Sequence, residues 1–226
     1  MSLWDPSVQG LYGIADVSGA PGRTELELAD AYLAAGVTVL QLRMKDASRE
    51  EVRGVLTELL PRAHSAGCAL VLNDDPGLAA EFPSVGVHLG QGDLSPVEAR
   101  EILGEGRLIG WSTHCLADVR SADQLPIDYV GFGPVFSAAG KHLSARDRRE
   151  PMAPLGLASL SHVVAAATVP VVAIGGIDSR TLPAVMETGV CSVAVISAVS
   201  RADDPRHAAQ ELADTVRQHL TLTKGT

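Results

Sequence analysis

Short apolar runs alternate along the chain with segments in which apolar residues recur every three or four positions. The short runs have the length of buried strands, and the longer segments have the periodicity of amphipathic helices. Continuous apolar strands separated by helices are typical of a parallel sheet whose faces are covered. The predicted strands are 11–15, 37–42, 69–72, 85–89, 107–111, 127–131, 169–174 and 192–196.

Local signals predict several helix ends. The pairs Thr24–Glu27 and Ser48–Glu51 are capping boxes, in which each side chain satisfies a backbone N–H group of the first turn. Gly36 is placed to end the first helix, because glycine often takes the left-handed position after a helix. We expect Pro61 to kink or end the second helix, and Asp178 to cap the helix after the seventh strand.

The eight strand–helix units predict a single (β/α)8 barrel, the TIM barrel, with active-site residues on the loops that follow the strands. The chain of 226 residues is expected to form one domain, 1–226, because such barrels often have this length undivided. An open doubly wound sheet is the alternative. The barrel is favoured because polar clusters follow many strands, whereas an open sheet gathers its ligands at one switch point.

Acidic residues follow the third and fourth predicted strands. Asn73 and Asp74 end one strand, and Asp93 closes the Gly-Gln-Gly-Asp segment after the next. Neighbouring parallel strands bring both aspartates to one edge, where two carboxylates suit Mg²⁺ together with waters and substrate phosphates. The alternative is that Asp74 caps a helix and Asp93 closes a turn. We predict that the pair binds Mg²⁺.

Amide and basic side chains follow the second strand. Gln41, Arg43 and Lys45 alternate, so in extended chain they point the same way. Arginine offers a planar fork to phosphate oxygens, and lysine offers a point charge. A solvated basic strand end is the alternative. The abrupt change from the apolar Val39 and Leu40 favours a binding role instead.

The last two strands end in a pattern typical of phosphate binding. Gly175 and Gly176 follow the seventh strand, and Ile196 and Ser197 follow the eighth. In barrels, backbone N–H groups after these strands often hold a phosphate, and glycine permits a close approach. A simple turn at the two glycines is the alternative.

Three residues with reactive or polar side chains follow the fifth strand. Ser112 is placed to donate a hydrogen bond into the barrel mouth, and His114 has the pKa range of an acid–base group near neutral pH. A structural role is the alternative for His114, and it is the preferred one for His88 inside the fourth strand. No orienting third group accompanies Cys115, so we do not predict a thiol nucleophile.

Composition and charge exclude several classes of partner. The net charge of −9 argues against nucleic acid. No apolar run reaches the length of a membrane span, and the first residues lack a signal-peptide pattern. Three widely spaced cysteines indicate reduced thiols in the cytoplasm. The expected partners are therefore small molecules, and the sequence permits a homo-oligomer without requiring one.

Six motifs at the strand ends resemble those of the thiamine phosphate synthase family, and they occur in the same order. The resemblance covers nearly the whole chain, from Leu11 to Ser197, and it implies a (β/α)8 barrel. The motifs are Gln-Leu-Arg-Met-Lys at 41–45, Asn-Asp at 73–74, Val-His-Leu-Gly-Gln-Gly-Asp at 87–93, Gly-Trp-Ser-Thr-His at 110–114, Gly-Pro-Val-Phe at 133–136 and Ala-Ile-Gly-Gly-Ile at 173–177.

The resemblance implies a transferase that joins 4-amino-2-methyl-5-hydroxymethylpyrimidine diphosphate to a thiazole phosphate, giving thiamine monophosphate and pyrophosphate. Mg²⁺ is the implied cofactor, and the implied mechanism is dissociative. The implied metal ligands are Asp74 and Asp93, and the implied catalytic residues are Arg43, Lys45, Ser112 and Lys141. The implied substrate-binding residues are Gln41, Arg43, Lys45, Asn73, Ser112 and Lys141 for the pyrimidine diphosphate, and Gly175, Gly176, Ile196 and Ser197 for the thiazole phosphate.

One loop departs from the family pattern. The family usually has Thr-x-Thr-Lys after the Gly-Pro-Val-Phe motif, whereas this chain has Ala138 and Gly140 before Lys141. Two other functions are therefore kept open: a thiazole tautomerase of the same barrel family, with His114 as its acid–base group, and a non-catalytic barrel that binds a thiamine precursor. The aspartate pair and the cations favour the transferase, since a tautomerase has no use for a diphosphate–metal site.

Overall fold

Eight parallel strands close into a barrel. The computed structural model describes residues 8–20, 22–137 and 152–223, and its strands pair in sequence order, with the last strand pairing with the first. The predicted TIM barrel is confirmed, and the open sheet is wrong. The strands are β1 (Gly10–Ala15), β2 (Val39–Leu42), β3 (Ala69–Asn73), β4 (Gly86–Leu89), β5 (Ile109–Thr113), β6 (Tyr129–Phe132), β7 (Val171–Ile174) and β8 (Ser192–Val195).

Helices follow the strands and pack on the outside of the barrel. A short extra helix directly after β8 was not predicted from the apolar pattern. Within the described residues, no helix offers the 18-residue apolar stretch needed to span a bilayer. The helices are α1 (Glu25–Ala34), α2 (Arg49–Ser65), α3 (Pro76–Ala79), α4 (Pro96–Leu103), α5 (Leu116–Ala122), α6 (Gly156–Ala166), α7 (Leu182–Met186), α8 (Ser197–Ser200) and α9 (Pro205–Thr223).

The capping boxes at the starts of α1 and α2 are confirmed. The hydroxyl of Thr24 accepts from the N–H of Glu27 at 3.2 Å, and the Glu27 carboxylate accepts from the N–H of Thr24 at 2.7 Å. The Ser48–Glu51 pair repeats this geometry in α2. Gly36 follows α1 with φ of 72°, as a left-handed residue after a helix should. A threonine or serine N-cap such as Thr24 or Ser48 contributes about 1 kcal/mol to stability.

The helix α2 continues through Pro61 to Ser65, so the prediction of an early stop was wrong. A proline inside a helix costs one backbone hydrogen bond and a steric clash. The helix buries Leu56 and Leu59 before Pro61 and Ala63 after it. Because tertiary packing of an apolar face supplies most helical stability in proteins, this burial outweighs the cost of the proline.

The helix after β7 begins later than predicted. Its N-cap is Thr181, and helix α7 starts at Leu182. Asp178 instead accepts hydrogen bonds from the backbone N–H groups of Arg180 at 3.1 Å and Thr181 at 2.9 Å, in the turn before the helix. Asp178 therefore accepts backbone hydrogen bonds as a capping residue does, but it orders the turn before α7 instead of capping the helix.

The closed sheet has an apolar core on each of its two sides. The outer core lies between the strands and the helices, and it includes Leu40, Leu56 and Leu89. The inner core fills the barrel and has eight buried members: Val8, Tyr12, Ile14, Val39, Val71, Tyr129, Val172 and Ala194. Because all strands are parallel, their carboxyl ends open on one rim above the inner core, which is the face that carries active sites in this fold.

Candidate active site at the carboxyl end of the barrel

Two aspartates meet on the rim above β3 and β4. The backbone N–H of Asp74 donates to the carbonyl of His88 at 2.9 Å, so the ladder between these strands continues one residue past β3. Asp74 has φ of 67°, a left-handed conformation that aspartate tolerates better than most residues. Its carboxyl group lies close enough to that of Asp93 for the charge of Asp93 to raise its pKa. Neighbouring strands therefore bring the two carboxyl groups together on the rim.

Hydrogen bonds in the neighbouring turns show which aspartate caps a helix and which one closes a turn. The N-cap of α3 is Asp75, which accepts from the N–H of Leu78 at 2.7 Å. Asp74 is therefore not the cap. Asp93 does close its turn, because its carboxylate accepts from the N–H of Gly90 at 2.7 Å. Asp93 thus holds the loop and faces Asp74 at the same time.

The electrostatics of this pair fit a hard divalent cation. Burial, and then the charge of Asp93, raise the pKa of Asp74 to about 7, although Lys45 and Arg43 lower it. Two carboxylates this close repel when both are ionised, and a cation between them removes that cost. The described residues contain no group of three or more His, Cys, Asp and Glu side chains suited to a metal. A two-carboxylate site completed by phosphate oxygens and water is the pattern that Mg²⁺ uses.

A cavity of about 440 Å³ opens beside the aspartate pair. The ammonium group of Lys45 lies 3.9 Å from the carboxylate of Asp74 at its edge. Asn73 also lines the cavity, so a cation, an amide and two acids converge there. The volume of this cavity is in the range typical of small-molecule sites.

Arg43 lines a second, smaller cavity on the other side of the rim. Its guanidinium forms an ion pair with Asp16, at the end of β1, and the Asp16 side chain is only 4% exposed. The Asp16 carboxylate also accepts from the N–H of Ser18 at 2.7 Å. The lining of this cavity includes Asp16, Arg43, Gly175, Gly176, Ile196, Ser197 and Arg201. The structure therefore brings together both predicted phosphate-binding segments.

The segment after β6 packs directly on the glycine pair after β7. The N–H of Val135 donates to the carbonyl of Ile174 at 2.9 Å, and the N–H of Phe136 donates to that of Gly175 at 3.0 Å. Gly176 has φ of 66°, and a Cβ on it would lie 2.8 Å from the Cβ of Phe136. Glycine is required there because both the conformation and the space exclude a side chain. These contacts hold the glycine pair, which lines the small cavity.

A chain of side-chain hydrogen bonds runs through the barrel below the rim. The amide of Gln41, on β2, donates to the Asn73 carbonyl oxygen Oδ1 at 2.7 Å, and its own carbonyl accepts from the Tyr12 hydroxyl at 3.1 Å. The hydroxyl of Tyr12 lies 2.8 Å from that of Tyr129. The chain links Gln41 and Asn73 to the middle of the barrel.

His88 carries the same chain to the opposite side. Its Nδ1 lies 3.2 Å from the Tyr129 hydroxyl, and its Nε2 lies 3.0 Å from Oγ of Ser112. Burial lowers the pKa of His88 to about 4, so the imidazole is neutral at pH 7. Burial also raises the pKa values of Tyr12 and Tyr129 above their usual range. The chain is therefore uncharged under ordinary conditions.

His114 and Cys115 take part in local structure after β5. The Nδ1 of His114 lies 2.7 Å from the carbonyl of Gly133, to which it donates, and its backbone N–H donates to Asp118. Cys115 is the N-cap of α5. These contacts join the loop after β5 to the end of β6.

The site contains residues that the sequence interpretation did not select. Asp16, Tyr12 and Tyr129 were passed over, and His88 was assigned a structural role. The polar end of β1 at Asp16 carries the same signal as the end of β3, so Asp16 was detectable. Lys141, Ala138 and Gly140 lie outside the described residues.

Comparisons with known proteins identify the family to which this chain is similar. The family described as thiamine monophosphate synthase matches residues 11–199. A thiamine-phosphate synthase of Natronomonas pharaonis is 38% identical over 207 residues, which are 92% of this chain and 94% of that protein. One from Herpetosiphon aurantiacus is 39% identical over 201 residues, 89% of this chain and 93% of that protein. The solved thiamine phosphate pyrophosphorylase of Pyrococcus furiosus is 32% identical with a TM-score of 0.82, covering 95% of this chain and 98% of that one.

Proposed function

The chain belongs to the thiamine monophosphate synthase family, and we propose that the two cavities on its barrel rim hold the two substrates of that reaction. The enzyme is a transferase that joins the hydroxymethylpyrimidine diphosphate to the thiazole phosphate, giving thiamine phosphate and pyrophosphate. The observation that carries the division between cavities is the separation of the cations. Lys45 lines the cavity with the aspartate pair, and Arg43 lines the one with the glycine pair.

In this proposal the larger cavity binds the pyrimidine diphosphate. Asn73 and Ser112 hold the pyrimidine ring, since they form the ends of the hydrogen-bond chain that rises to the rim, and Gln41 orients Asn73 through its hydrogen bond. Lys45 binds the diphosphate beside Asp74. By the family resemblance Lys141 also binds the diphosphate, from a segment outside the described residues.

The smaller cavity binds the phosphate of the thiazole substrate. Gly175 and Gly176 supply a close backbone surface, and Ile196 and Ser197 begin the short helix α8 beside it. Arg43, which Asp16 fixes, lies at the edge of this cavity and near enough to Asp74 to lower its pKa. We place Arg43 between the substrates, where the diphosphate leaves and the thiazole enters.

The residues favour a dissociative reaction. The bond between the pyrimidine methylene carbon and the diphosphate oxygen breaks first, and the electron pair leaves with pyrophosphate. The aminopyrimidine ring delocalises the methylene cation, and the thiazole nitrogen then forms the new C–N bond without losing a proton. Lys45 and Arg43 stabilise the charge that develops on the leaving group, as fixed charges do in a pre-organised site.

Asp74 and Asp93 are the residues that would hold Mg²⁺, and the raised pKa of Asp74 beside Asp93 fits that role. When bound, Mg²⁺ supplies positive charge that neutralises the leaving diphosphate. We also place the enzyme in the cytoplasm, because Cys68, Cys115 and Cys191 are free thiols.

The test is pyrophosphate release by the purified protein. We expect release and thiamine phosphate formation only when pyrimidine diphosphate, thiazole phosphate and Mg²⁺ are all present. Asp93→Asn keeps an oxygen for the Gly90 N–H group but loses the charge, so it should slow turnover by orders of magnitude at low Mg²⁺ with an unchanged circular dichroism spectrum. Wild-type rates in Asp93→Asn at low Mg²⁺, or no release in wild type, would contradict the proposal.

A further inference from the structure

The orientation of the Gln41 amide, whose carbonyl faces Tyr12 and whose NH₂ group faces Asn73, sets the direction of the hydrogen-bond chain through the barrel. Each tyrosine hydroxyl has one hydrogen to donate. Tyr12 donates it to the Gln41 carbonyl, so Tyr12 must accept from Tyr129. The hydrogen of Tyr129 is then committed to Tyr12, and the Tyr129 oxygen must accept from Nδ1–H of His88.

The direction continues to both ends of the chain. A neutral His88 protonated at Nδ1 has a bare Nε2, so Ser112 donates its hydroxyl hydrogen to His88. Ser112 therefore presents oxygen lone pairs to the rim. At the other end the Gln41 amide donates to the Asn73 carbonyl, which leaves Asn73 to present its NH₂ group. The rim thus has an acceptor at Ser112 and a donor at Asn73.

The backbone around the chain is shaped to make room for it. Residue 110 lies between His88 and Tyr129 in the strand register. A Cβ at Gly110 would lie 2.5 Å from Nδ1 of His88 and would overlap the Tyr129 hydroxyl. A Cβ at Gly131 would lie 3.1 Å from Cε1 of His88. Glycine at these two strand positions clears the space that the imidazole and the phenol occupy.

We propose that Tyr12, Tyr129 and His88 are positioning residues that fix the donor and acceptor pattern of the rim, and so select a 4-aminopyrimidine over its 4-oxo analogue. This rests on the proposed function. An aminopyrimidine offers an N–H donor to Ser112 and a ring nitrogen acceptor to Asn73. A 4-oxopyrimidine offers a carbonyl and a ring N–H instead, which is the reverse pattern. A site built for hydrogen bonding discriminates strongly against a ligand that leaves its polar groups unpaired, or that places donor against donor and acceptor against acceptor.

The first test is the tautomer of His88, measured by nitrogen NMR on uniformly ¹⁵N-histidine-labelled protein without substrate. His88→Gln assigns the signal among the seven histidines. We expect a protonated Nδ1 and a bare Nε2. A proton on Nε2 would mean that the chain runs the other way and would overturn the proposal. This measurement does not depend on the reaction, so an inactive wild type would refute the proposed function alone.

The second test is binding of the 4-amino and 4-oxo pyrimidine diphosphates with Mg²⁺, measured by calorimetry. Wild type should prefer the amino compound by about 100-fold or more. Tyr129→Phe and Tyr12→Phe each interrupt the chain, so each should reduce this preference by about tenfold or more. Tyr32→Phe is the matched control, because buried Tyr32 loses one hydrogen bond to the Val195 carbonyl outside the chain.

The outcomes separate positioning from general destabilisation. A preference that falls in both chain variants and is unchanged in Tyr32→Phe supports the proposal, whatever the melting temperatures do. A preference that is unchanged in Tyr129→Phe and Tyr12→Phe, in an active enzyme, overturns it and leaves the proposed function standing. Equal losses in all three variants also overturn it, because the effect is then one of stability.

Discussion

The guanidinium of Arg43 forms an ion pair with the carboxylate of Asp16, which joins the ends of β2 and β1 on the barrel rim. Both side chains are largely buried, with exposed fractions of 14% and 4%. A buried carboxylate that accepts from a guanidinium and a backbone N–H fixes the arginine in one orientation. Arg43 and Lys45 are two residues apart in the sequence, but they serve different cavities.

This separation predicts different kinetic defects for the two cations. Lys45→Met should lower kcat and raise the Michaelis constant for the pyrimidine diphosphate, and it should leave the Michaelis constant for the thiazole phosphate unchanged. Arg43→Met should impair both substrates and lower kcat by about 10²–10³-fold, the usual effect of removing one group that stabilises transition-state charge. Arg43→Lys should not restore the rate, because lysine lacks the planar fork of hydrogen-bond donors that arginine has. Steady-state kinetics with each substrate varied will check this. The same defect in both Met variants would contradict it.

His114 gives a prediction that separates the transferase from the tautomerase. Its Nδ1–H is committed to the Gly133 carbonyl, and the transferase reaction removes no proton from the attacking nitrogen. His114→Ala should therefore cost less activity than Arg43→Met in the pyrophosphate-release assay. If His114→Ala abolishes turnover and Arg43→Met is mild, an acid–base isomerase becomes the better interpretation.

The barrel was predictable because the spacing of apolar residues, and their share of each segment, indicate directly which faces are buried. Strands of a parallel sheet are apolar on both faces, and helices are apolar on one. The strand starts were less predictable. The sequence pattern begins strands at Val37 and Val169, whereas β2 and β7 begin at Val39 and Val171. Val37 is buried in the outer core before the ladder starts, and a buried residue looks the same in sequence whether or not it pairs.

The site was predictable at the strand ends and hidden inside the barrel. Asp74 was predicted as a site residue because it directly follows an apolar strand, and Asp93 because it ends the polar segment after the next strand. Tyr12 and Tyr129 are aromatic residues in apolar strands, so the sequence shows them as core. Their hydroxyl contact joins residues 117 positions apart and depends on the closure of the barrel. Only the three-dimensional register shows that Gly110 faces His88 and Tyr129.

The aspartate pair predicts how stability depends on pH without divalent cations. The pKa of Asp74 is raised to about 7 in the folded protein, above the unfolded value near 4. The folded state therefore binds more protons between these values, and this contribution to stability is full below about pH 4 and is lost as the pH rises through 7. Urea unfolding in EDTA at pH 5 and pH 8 will measure the loss.

Asp93→Asn is the matched comparison for that measurement. The amide keeps the oxygen that accepts from Gly90 but removes the charge that opposes ionisation of Asp74. We expect its stability to fall less than that of wild type between pH 5 and pH 8. Mg²⁺ with pyrophosphate should flatten the wild-type dependence, since the cation compensates the second carboxylate. An identical pH dependence in wild type and Asp93→Asn would show that the two carboxylates are not coupled.

The unusual sequence after the Gly-Pro-Val-Phe motif predicts weakened binding of one substrate only. Ala138 and Gly140 lack the hydroxyls that the family usually places before Lys141, and a hydrogen bond to a charged group contributes about 1.5–3 kcal/mol. Ala138→Thr with Gly140→Thr should lower the Michaelis constant for the thiazole phosphate by about tenfold or more, and that for the pyrimidine diphosphate should not change. A tight thiazole constant in wild type that worsens in the double variant would show that the loop binds this phosphate in its own way.

Two glycine-to-alanine changes, with opposite expected effects on the free energy of unfolding, test how the barrel interior is built. Gly110→Ala places a methyl group against Tyr129 and His88, so it should destabilise the protein by about 1–3 kcal/mol. Gly54→Ala lies on the exposed side of α2 with no atom within 4 Å of the new methyl group, so it should stabilise by about 0.5–1 kcal/mol. Urea unfolding measures both. A neutral Gly110→Ala would mean that the tyrosine and histidine shift at little cost. In that case the preference of Gly110→Ala for the 4-amino over the 4-oxo ring should fall, because the shift breaks the hydrogen bond from His88 that orients Tyr129.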